Sequence, residues 1–301
     1  MELKDKYMLV DDYSQAKAQF DKYIIDIFEG ERAISYSALK PFITDGPRGF
    51  FKSRMFKEQT TAMVDGVAFH MCCLENDKYD KTYEVFDDSG IIIALTSGEQ
   101  YVCSTTNILY NADEKTYKTG RSCAEYKRWK ADFLEAKKGV EFIDASKDRL
   151  FRSMSKYLRT NSQTKPYFES LKEFEITKSF DMDGFEFITK IDAIGKDERG
   201  EFTLDLKKCA DASLNKIRWS IRDMLYDIQG AMYSLANNTR RHVIVFIDAS
   251  HKVAVVELSS ETLEAKYEEL SGWLGKFQQC IEEDAWNESV NYLNNNDILI
   301  I

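Results

Sequence analysis

The sequence has no long uninterrupted hydrophobic stretch. None of its apolar runs reaches the roughly 18 residues that a membrane-spanning helix requires. The first residues, Met-Glu-Leu-Lys-Asp-Lys, also lack the apolar centre of a signal peptide. We therefore expect a cytoplasmic protein rather than a membrane-inserted or secreted one.

Closely spaced metal-binding cysteines are missing as well. The chain contains no C-x-x-C pair of the kind that binds zinc. In a cytoplasmic protein, scattered cysteines are expected to be reduced and structural rather than joined in disulfides. The six cysteines are Cys72, Cys73, Cys103, Cys123, Cys209 and Cys280.

An overall excess of positive charge is absent too. The formal net charge is −10, which argues against a surface covered by nucleic acid, because such binding depends largely on neutralising phosphates. A local basic channel remains compatible with this total. Basic residues do cluster, although each cluster is equally compatible with a solvated helix face. The clusters are Lys40, Arg48, Lys52, Arg54 and Lys57; Lys127, Arg128 and Lys130; and Arg149, Arg152, Lys156 and Arg159.

The composition itself is ordinary for a globular protein. Hydrophobic residues make up 44% and charged residues 31% of the 301 positions. No internal repeat or low-complexity tract interrupts the chain. This length is ample for one sizeable core and allows one or two domains.

The most informative stretch is a predicted hairpin in the second half of the chain. Residues 185–192 and 202–207 are rich in apolar, β-favouring residues, and the polar segment between them is bracketed by glycines. Side chains alternate faces along a strand, so Asp205 and Lys207 share one face while their apolar neighbours point into a core. Folding the hairpin brings Asp192 beside Asp205.

Two carboxylates and one ammonium group on a single patch suit a divalent cation and a phosphate. Mg²⁺ and Mn²⁺ prefer oxygen ligands, commonly one or two carboxylates with waters and substrate phosphates. The bland alternative is a solvated hairpin whose exposed positions happen to be charged. That alternative explains most D-x-K sequences, so the other motifs of the chain decide between the two.

Two predicted helices add polar side chains to this hairpin. Residues 217–236 have helical periodicity, which places Gln229 and Tyr233 one turn apart on the same face. Upstream, Gly66 and His70 lie in a second predicted helix. Taken alone, His70 is explained by an ordinary core or surface position, Gln229 by a polar helix face and Tyr233 by core packing.

The order G-x-x-x-H, D, D-x-K and Q-x-x-x-Y resembles the PD-(D/E)XK nuclease superfamily in its RecB-like branch. A closer likeness is to the phage-type exonuclease VIII (RecE-like) family. Residues 34–40 with 46–50 are similar to the opening helix of that family, and residues 61–75 to its histidine segment. Glu175 occupies a strand where the family often has a glutamate. The resemblance covers roughly residues 32–270.

The chain departs from the family pattern at two places. Small hydroxylated residues usually follow the D-x-K motif, but here Lys208 and Cys209 follow it. Lys190 stands where the family often has an arginine. Neither change removes an implied metal ligand, so an active enzyme is still expected.

The resemblance implies an α/β (α+β) fold of the PD-(D/E)XK restriction-endonuclease type, with a central mixed β-sheet flanked by helices. We expect an N-terminal helical extension over residues 1–31 and a nuclease domain over 32–285. Residues 86–118 are interpreted as an insertion, and 286–301 as a C-terminal tail.

The resemblance also implies roles for individual residues. Lys207 orients or deprotonates the attacking water, or stabilises the developing charge; Gln229 and Tyr233 bind the substrate strand near the scissile phosphate. Mg²⁺ or Mn²⁺ is held by His70, Glu175, Asp192, Asp205 and the backbone carbonyl of Leu206. The implied DNA contacts are Arg48, Lys52 and Arg54.

The implied activity is metal-dependent exonuclease cleavage of linear double-stranded DNA in the 5′ to 3′ direction. The resulting 3′ overhang serves an annealing protein in phage-type recombination, and relatives act as ring-like homo-oligomers in the bacterial or phage-infected host cytosol. Some RecB-like relatives carry an iron–sulfur cluster, which is not expected here because Cys280 stands alone after the glutamine helix. Two alternatives stay open: a catalytically silent module that binds DNA or a partner, and an endonuclease.

Overall fold

A computed structural model of the chain describes residues 10–56, 60–87, 91–94, 100–103, 108–110, 116–119 and 124–288. The chain divides into two compact units, one formed by residues 1–70 with 156–301 and the other by Met71–Ser155. Most of the predicted tail, Lys57 and parts of the predicted insertion lie outside the described residues.

The described helices and strands alternate along the chain. The helices are α1 (Val10–Phe28), α2 (Tyr36–Met55), α3 (Thr61–Leu74), α4 (Asn76–Thr82), α5 (Ala124–Ala136), α6 (Ala145–Thr160), α7 (Lys165–Ser170), α8 (Leu214–Asp223), α9 (Tyr226–Ala236) and α10 (Ser260–Glu283). The strands are β1 (Tyr83–Phe86), β2 (Ile91–Ala94), β3 (Gln100–Cys103), β4 (Ile108–Tyr110), β5 (Thr116–Thr119), β6 (Glu141–Asp144), β7 (Leu171–Met182), β8 (Phe185–Asp197), β9 (Gly200–Cys209), β10 (His242–Asp248) and β11 (Val253–Leu258).

A five-stranded mixed sheet forms the centre of the first unit, with the strand order β11-β10-β9-β8-β7. Only the β9–β10 pair is parallel, and α8 and α9 form the crossover between these two strands. Every residue of β10 is buried, as its continuous apolar run predicts for a strand covered on both faces. The predicted β8–β9 hairpin is confirmed, with a shorter turn than the glycines suggested because pairing continues to Asp197–Gly200.

An aromatic core joins the N-terminal helices to the C-terminal helix of this unit. Phe20 of α1 packs edge-on against Phe51 of α2, with ring centroids 4.8 Å apart, and against Trp286 at 5.1 Å. Phe50 and Phe277 meet in the same way at 5.1 Å. Burial of such rings is a large stabilising contribution, so α1 is part of the folded core rather than a free arm.

Helix α2 consists of two helical parts separated by a kink. Gly46 adopts φ 75° and ψ −169°, which interrupts the helical backbone just before Pro47. This conformation is one that glycine reaches without steric cost. The chain before α2 is fixed as well, because the amide of Ile34 donates to the carbonyl of Glu186 at 2.8 Å and its carbonyl accepts from Ile188 at 2.9 Å.

The single helix predicted over residues 217–236 is wrong in one respect. The structure has two helices, α8 and α9, separated at Leu225, which adopts the left-handed φ of 54°. The break is stabilised by a distant residue, since the hydroxyl of Tyr36 donates a hydrogen bond to the Met224 carbonyl. Periodicity depends on neighbours along the chain and therefore does not predict this break.

The second unit contains small sheets and short helices. Strands β1 and β6 pair in parallel, while β2 pairs with β3 and β4 with β5 in antiparallel fashion. The buried Tyr79 hydroxyl donates to Asp148 at 3.0 Å, and Arg152 binds the same carboxylate at 2.9 Å. Across the described part of the whole chain, no helix combines the length and the apolar character needed to cross a lipid bilayer.

Candidate metal-binding and catalytic site

The site begins where strands β8 and β9 stop pairing with each other. Their last pair on this side is Ala193–Leu204, so Asp192 and Asp205 are the next residues on the two strands. Beyond this pair the backbone amide of Leu206 donates its hydrogen bond to Oδ2 of Asp192, at 2.9 Å. A carboxylate thus takes the place of a backbone carbonyl, which fixes Asp192 at the fork between the strands.

Glu175 and His70 reach the same place from two other elements. In the β7–β8 register Glu175 falls between the pairs Phe174–Ala193 and Ile176–Ile191, opposite Asp192. One ligand-capable atom from each of Glu175, Asp192 and His70 lies within 4.8 Å of the others. His70 Nδ1 is 3.4 Å from Asp192 Oδ2.

The backbone at Glu175 departs from ordinary strand geometry. Its φ is 53°, which is uncommon for a residue other than glycine. Such strained residues cluster at functional sites, where the surrounding structure holds them in place. The Glu175 carboxylate also forms an ion pair with Lys190.

Lys207 lies at the centre of a second group of polar contacts. Its Nζ donates to Asp205 Oδ1 at 2.7 Å and to Gln229 Oε1 at 3.1 Å. Gln229 Nε2 in turn donates to the Tyr233 hydroxyl at 2.9 Å. The predicted one-turn spacing of Gln229 and Tyr233 on α9 therefore produces a direct contact. Nζ also lies 4.7 Å from the ring centroid of Tyr226.

The burial of Asp205 differs from the solvent-facing position that the hairpin alone suggested. Its side chain is 1% exposed, because β9 is an inner strand of a sheet that helices cover. Its Oδ2 lies 2.7 Å from Lys207 Nζ, yet among the described residues no donor meets this oxygen in hydrogen-bonding geometry. A buried carboxylate oxygen of this kind is a natural acceptor for a further cationic or hydrogen-bonding ligand.

The surroundings shift the pKa values of the two aspartates in opposite directions. Burial raises the pKa of Asp205 to about 6; the Lys207 charge opposes this shift, and the Asp192 charge adds to it. Burial would raise the pKa of Asp192 too. The charges of His70 and Lys207 and hydrogen bonds from His70 and the Leu206 amide outweigh this effect, so the pKa is lowered. Asp192 is therefore firmly ionised, whereas Asp205 holds its charge less readily.

The two basic groups both remain protonated more readily than usual. Burial lowers the pKa of Lys207, but the charges of Asp205 and Asp192 outweigh burial and the net pKa is raised. Burial also lowers the pKa of His70, but the charge and hydrogen bond of Asp192 outweigh burial, so the net pKa is raised. The site thus holds a compact arrangement of opposite charges in a poorly solvated environment.

This donor set fits a divalent cation. Imidazole nitrogen and carboxylate oxygens are accepted by Mn²⁺, and carboxylate oxygens with waters by Mg²⁺. His70, Glu175 and Asp192 form the compact three-residue group, while Asp205 adds the oxygen that lacks a hydrogen-bond donor. The Leu206 carbonyl remains a predicted ligand by virtue of its place between Asp205 and Lys207.

The predicted DNA contacts lie on α2. Arg48 and Lys52 are exposed and four residues apart, so they share one helix face. Arg54 is half-buried, donates to the Ser37 carbonyl at 3.3 Å, and lies over the Phe50 ring at 6.0 Å. Arg48 and Lys52 therefore remain available to a ligand, whereas Arg54 has an evident structural role.

Three residues at the site were not singled out from the sequence. Tyr36 binds the Met224 carbonyl, and burial and then nearby acidic groups, Asp205 among them, raise its pKa. Lys40 donates to the Met224 sulfur at 3.2 Å, and burial followed by the Lys207 charge lowers its pKa. Tyr226 could have been found, since it precedes Gln229 by three and Tyr233 by seven on one helix face.

Comparison with known proteins gives a structural match. No protein-family model and no curated protein matches the sequence. The crystal structure of a "putative exonuclease" from Eubacterium rectale matches with a TM-score of 0.50 and 13% identity, covering 98% of this chain and 95% of that chain. The crystal structure of SSO0001 matches 48% of this chain and 64% of that chain at 18% identity, with a TM-score of 0.24.

At 13% identity the match to the Eubacterium rectale protein shows a shared fold. It agrees with the observed architecture, in which helices flank a mixed five-stranded sheet. The predicted fold class, a mixed α/β chain with a central mixed sheet, is confirmed.

Proposed function

We propose that this protein is a metal-dependent nuclease that hydrolyses phosphodiester bonds in DNA. The observation that carries the proposal is the convergence of Asp192, Asp205 and Lys207 with Glu175 and His70 at the fork of β8 and β9. Carboxylates, an imidazole and a protonated amine in one place match what phosphodiester hydrolysis needs. The resemblance of the motifs to RecE-like exonucleases and the fold shared with the Eubacterium rectale protein support the same reaction class.

His70, Glu175 and Asp192, with Asp205 and the Leu206 carbonyl, are the residues that would hold Mg²⁺ or Mn²⁺. When bound, the cation lowers the pKa of water and neutralises phosphate charge. The protein contributes the ordering of these ligands. Asp192 is fixed by the Leu206 amide, and Glu175 by its ion pair with Lys190.

Lys207 acts as a fixed positive charge at the phosphate. Its raised pKa keeps it protonated at neutral pH, so stabilisation of the negative charge that develops on the phosphate is favoured over removal of a proton from water. Asp205 and Gln229 restrain the ammonium group from two sides. Such preorganised charge contributes on the order of 10²- to 10³-fold to the rate in comparable sites.

Gln229 and Tyr233 position both Lys207 and the substrate strand. The Gln229 carbonyl oxygen accepts from Lys207, and its amide donates to the Tyr233 hydroxyl. The Tyr233 hydroxyl keeps its own proton, because burial and then the charges of Asp192 and Asp205 raise its pKa. That proton is a donor which can be directed to a phosphate oxygen.

More specifically, we propose that the enzyme is an exodeoxyribonuclease that degrades linear double-stranded DNA from its ends. We propose 5′ to 3′ polarity, a 3′ overhang as the product, an annealing protein as partner and a ring-like homo-oligomer, in recombination of the phage type. These properties follow from the resemblance of the motifs. Arg48 and Lys52, exposed on α2, are the proposed phosphate contacts outside the site.

The decisive experiment compares linear and covalently closed circular duplex DNA, each incubated with Mg²⁺ or with EDTA. An exonuclease consumes only the linear DNA and only with Mg²⁺. Loss of both substrates identifies an endonuclease, whereas binding without cleavage of either substrate identifies a silent module and overturns the proposal. The Asp192→Asn variant, purified in parallel, excludes a contaminating nuclease.

A further inference from the structure

Helix α8 exposes an unusual combination of side chains on its outer face. The Trp219 side chain is 63% exposed, although tryptophan is among the most costly residues to leave in water. Lys216 and Arg222 lie three residues before and after it, so both flank the indole on the same face. Arg218 is the adjacent exposed cation. We call Lys216, Arg218, Trp219 and Arg222 the α8 face.

These cations have no partners of their own within the described residues. Neither Lys216, Arg218 nor Arg222 makes a side-chain hydrogen bond or ion pair there, and no ring packs on Trp219. By contrast, Arg199 and Arg241 are paired elsewhere on this acidic protein, since both bind Glu257. The α8 face is therefore a local positive patch around an aromatic ring on a chain of net charge −10.

The α8 face lies on the helix that leads into the candidate site. Met224, which directly follows α8, accepts hydrogen bonds from the Tyr36 hydroxyl through its carbonyl and from Lys40 through its sulfur. Tyr226, two residues later, lies beside the Lys207 ammonium. Trp219 is five residues before Met224, about 7.5 Å along the helix axis.

We propose that the α8 face binds single-stranded nucleic acid, with Trp219 stacking on an unpaired base and its flanking cations contacting the phosphates on either side. This inference rests on the proposed function and deepens it, because it assigns an unpaired strand to the surface next to the site. A duplex hides its base faces, so an exposed ring surrounded by cations suits a single strand better. The same cations would also attract an acidic second copy of this chain, so self-association is tested separately below.

The first test measures tryptophan fluorescence during titration with a short oligo-dT in EDTA, where cleavage is suppressed. Stacking on Trp219 quenches its emission, so the wild type shows quenching and Trp219→Phe loses it. Trp273→Phe is the matched control, since Trp273 is half-buried and carries Lys276 over its ring at 4.4 Å. That variant keeps the quenching.

The second test measures the affinity of labelled oligo-dT by anisotropy. Trp219→Ala weakens binding at least about fivefold, as expected for removal of one stacking platform, and Trp219→Phe restores part of the affinity. Phe28→Ala removes an aromatic side chain that is 65% exposed on α1 and leaves the affinity unchanged. Phe28 is about as exposed as Trp219, but it is not flanked by cations in the same arrangement.

The third test separates charge from stacking by varying the salt concentration. In the Lys216→Ala, Arg222→Ala double variant, the slope of log affinity against log salt becomes shallower by about 1.4, or about 0.7 for each phosphate that is no longer neutralised. Trp219→Ala leaves the slope nearly unchanged. An unchanged slope in the double variant overturns the assignment of phosphate contacts.

The outcomes also separate this proposal from the nuclease proposal. Quenching in EDTA without any cleavage in Mg²⁺ contradicts the nuclease while leaving the α8 face intact. Cleavage with equal oligo-dT affinity in wild type and Trp219→Ala overturns the α8 proposal alone. If Trp219→Ala instead changes only the sedimentation of the protein, the face is an interface between copies and the proposal is wrong.

Discussion

The Leu206 amide donates a hydrogen bond to the Asp192 carboxylate across the gap where β8 and β9 separate, at 2.9 Å. This contact holds Asp192 at the point where the two strands of the hairpin separate. Because the strands separate here, Asp192 points toward His70 and Glu175, while Asp205 pairs with Lys207.

Replacement of Lys207 tests the electrostatic part of the site. We expect Lys207→Ala to lower the rate of cleavage of linear duplex by at least about 10²-fold, because a preorganised charge is removed. The matched control is Lys208→Ala, which removes the adjacent, exposed lysine on the other face of the strand. Rates within a few-fold of wild type for Lys207→Ala would remove it from the catalytic group.

Metal binding is expected to stabilise the folded protein. A cation that binds only the folded state adds about 2.7 kcal/mol at a concentration 100 times its Kd, so Mn²⁺ raises the Tm of the wild type. Glu175→Gln and Asp192→Asn each reduce this rise. Glu173→Gln, an exposed position on the same strand β7, keeps it. A rise of equal size in all four proteins would place the metal elsewhere.

The hydrogen bonds from Lys207 to Gln229 and from Gln229 to Tyr233 predict how strongly substitutions at these positions lower activity. Gln229→Ala removes both the acceptor of Lys207 and the donor to Tyr233, so it reduces kcat more than Tyr233→Phe, which removes only a hydroxyl. Both effects remain smaller than that of Lys207→Ala. Steady-state kinetics over a range of DNA concentrations measure the order, and unchanged kinetics for Gln229→Ala would assign that residue a purely structural role.

His242 predicts how stability depends on pH. Its ring is fully buried beside Tyr233, and burial lowers its pKa to about 3 from an ordinary value of 6.5. Between these values only the unfolded chain binds the extra proton, so this residue's contribution to stability is present above pH 6.5 and is lost as the pH falls. The expected slope is about 1.4 kcal/mol per pH unit.

The variant His242→Phe isolates this contribution. It is less stable than the wild type at pH 7, because the bond between His242 Nδ1 and the Thr203 hydroxyl is lost. The difference in unfolding free energy shrinks by about 2 kcal/mol at pH 5, where the buried histidine penalises the wild type alone. Urea titrations at the two pH values provide the measurement; a difference independent of pH contradicts the buried neutral state.

The α2 cations predict a salt dependence for duplex DNA. Replacing both Arg48 and Lys52 by alanine makes the plot of log affinity against log salt shallower by about 1.8, or about 0.9 for each phosphate contact. Arg54→Ala is expected to reduce stability instead, because its guanidinium group lies over Phe50 and binds the Ser37 carbonyl. An unchanged slope in the double variant would exclude α2 from the DNA path.

Much of this arrangement was predictable because it depends on local patterns. Alternation along two strands and a glycine-bracketed turn predict the hairpin that aligns Asp192 with Asp205. The four-residue spacing of Gln229 and Tyr233 predicts their shared helix face. The buried run in β10 predicts an inner strand.

The remaining features depend on contacts between distant parts of the chain. Leu225 interrupts the predicted helix where the Tyr36 hydroxyl binds Met224, and these partners are far apart in sequence. Asp205 is buried because helices cover both faces of a central strand, which the hairpin alone cannot indicate. Lys40 was visible only as one member of a basic cluster, yet its pKa is lowered by burial and by the Lys207 charge.

The most direct measurement is the release of acid-soluble nucleotides from labelled linear duplex by wild type and Asp192→Asn, side by side in Mg²⁺. We predict steady release by the wild type and a loss of at least about 10²-fold in the variant, with both proteins showing the same folded circular dichroism spectrum. Equal release by the two folded proteins, or none by the wild type, would contradict the assignment of this site.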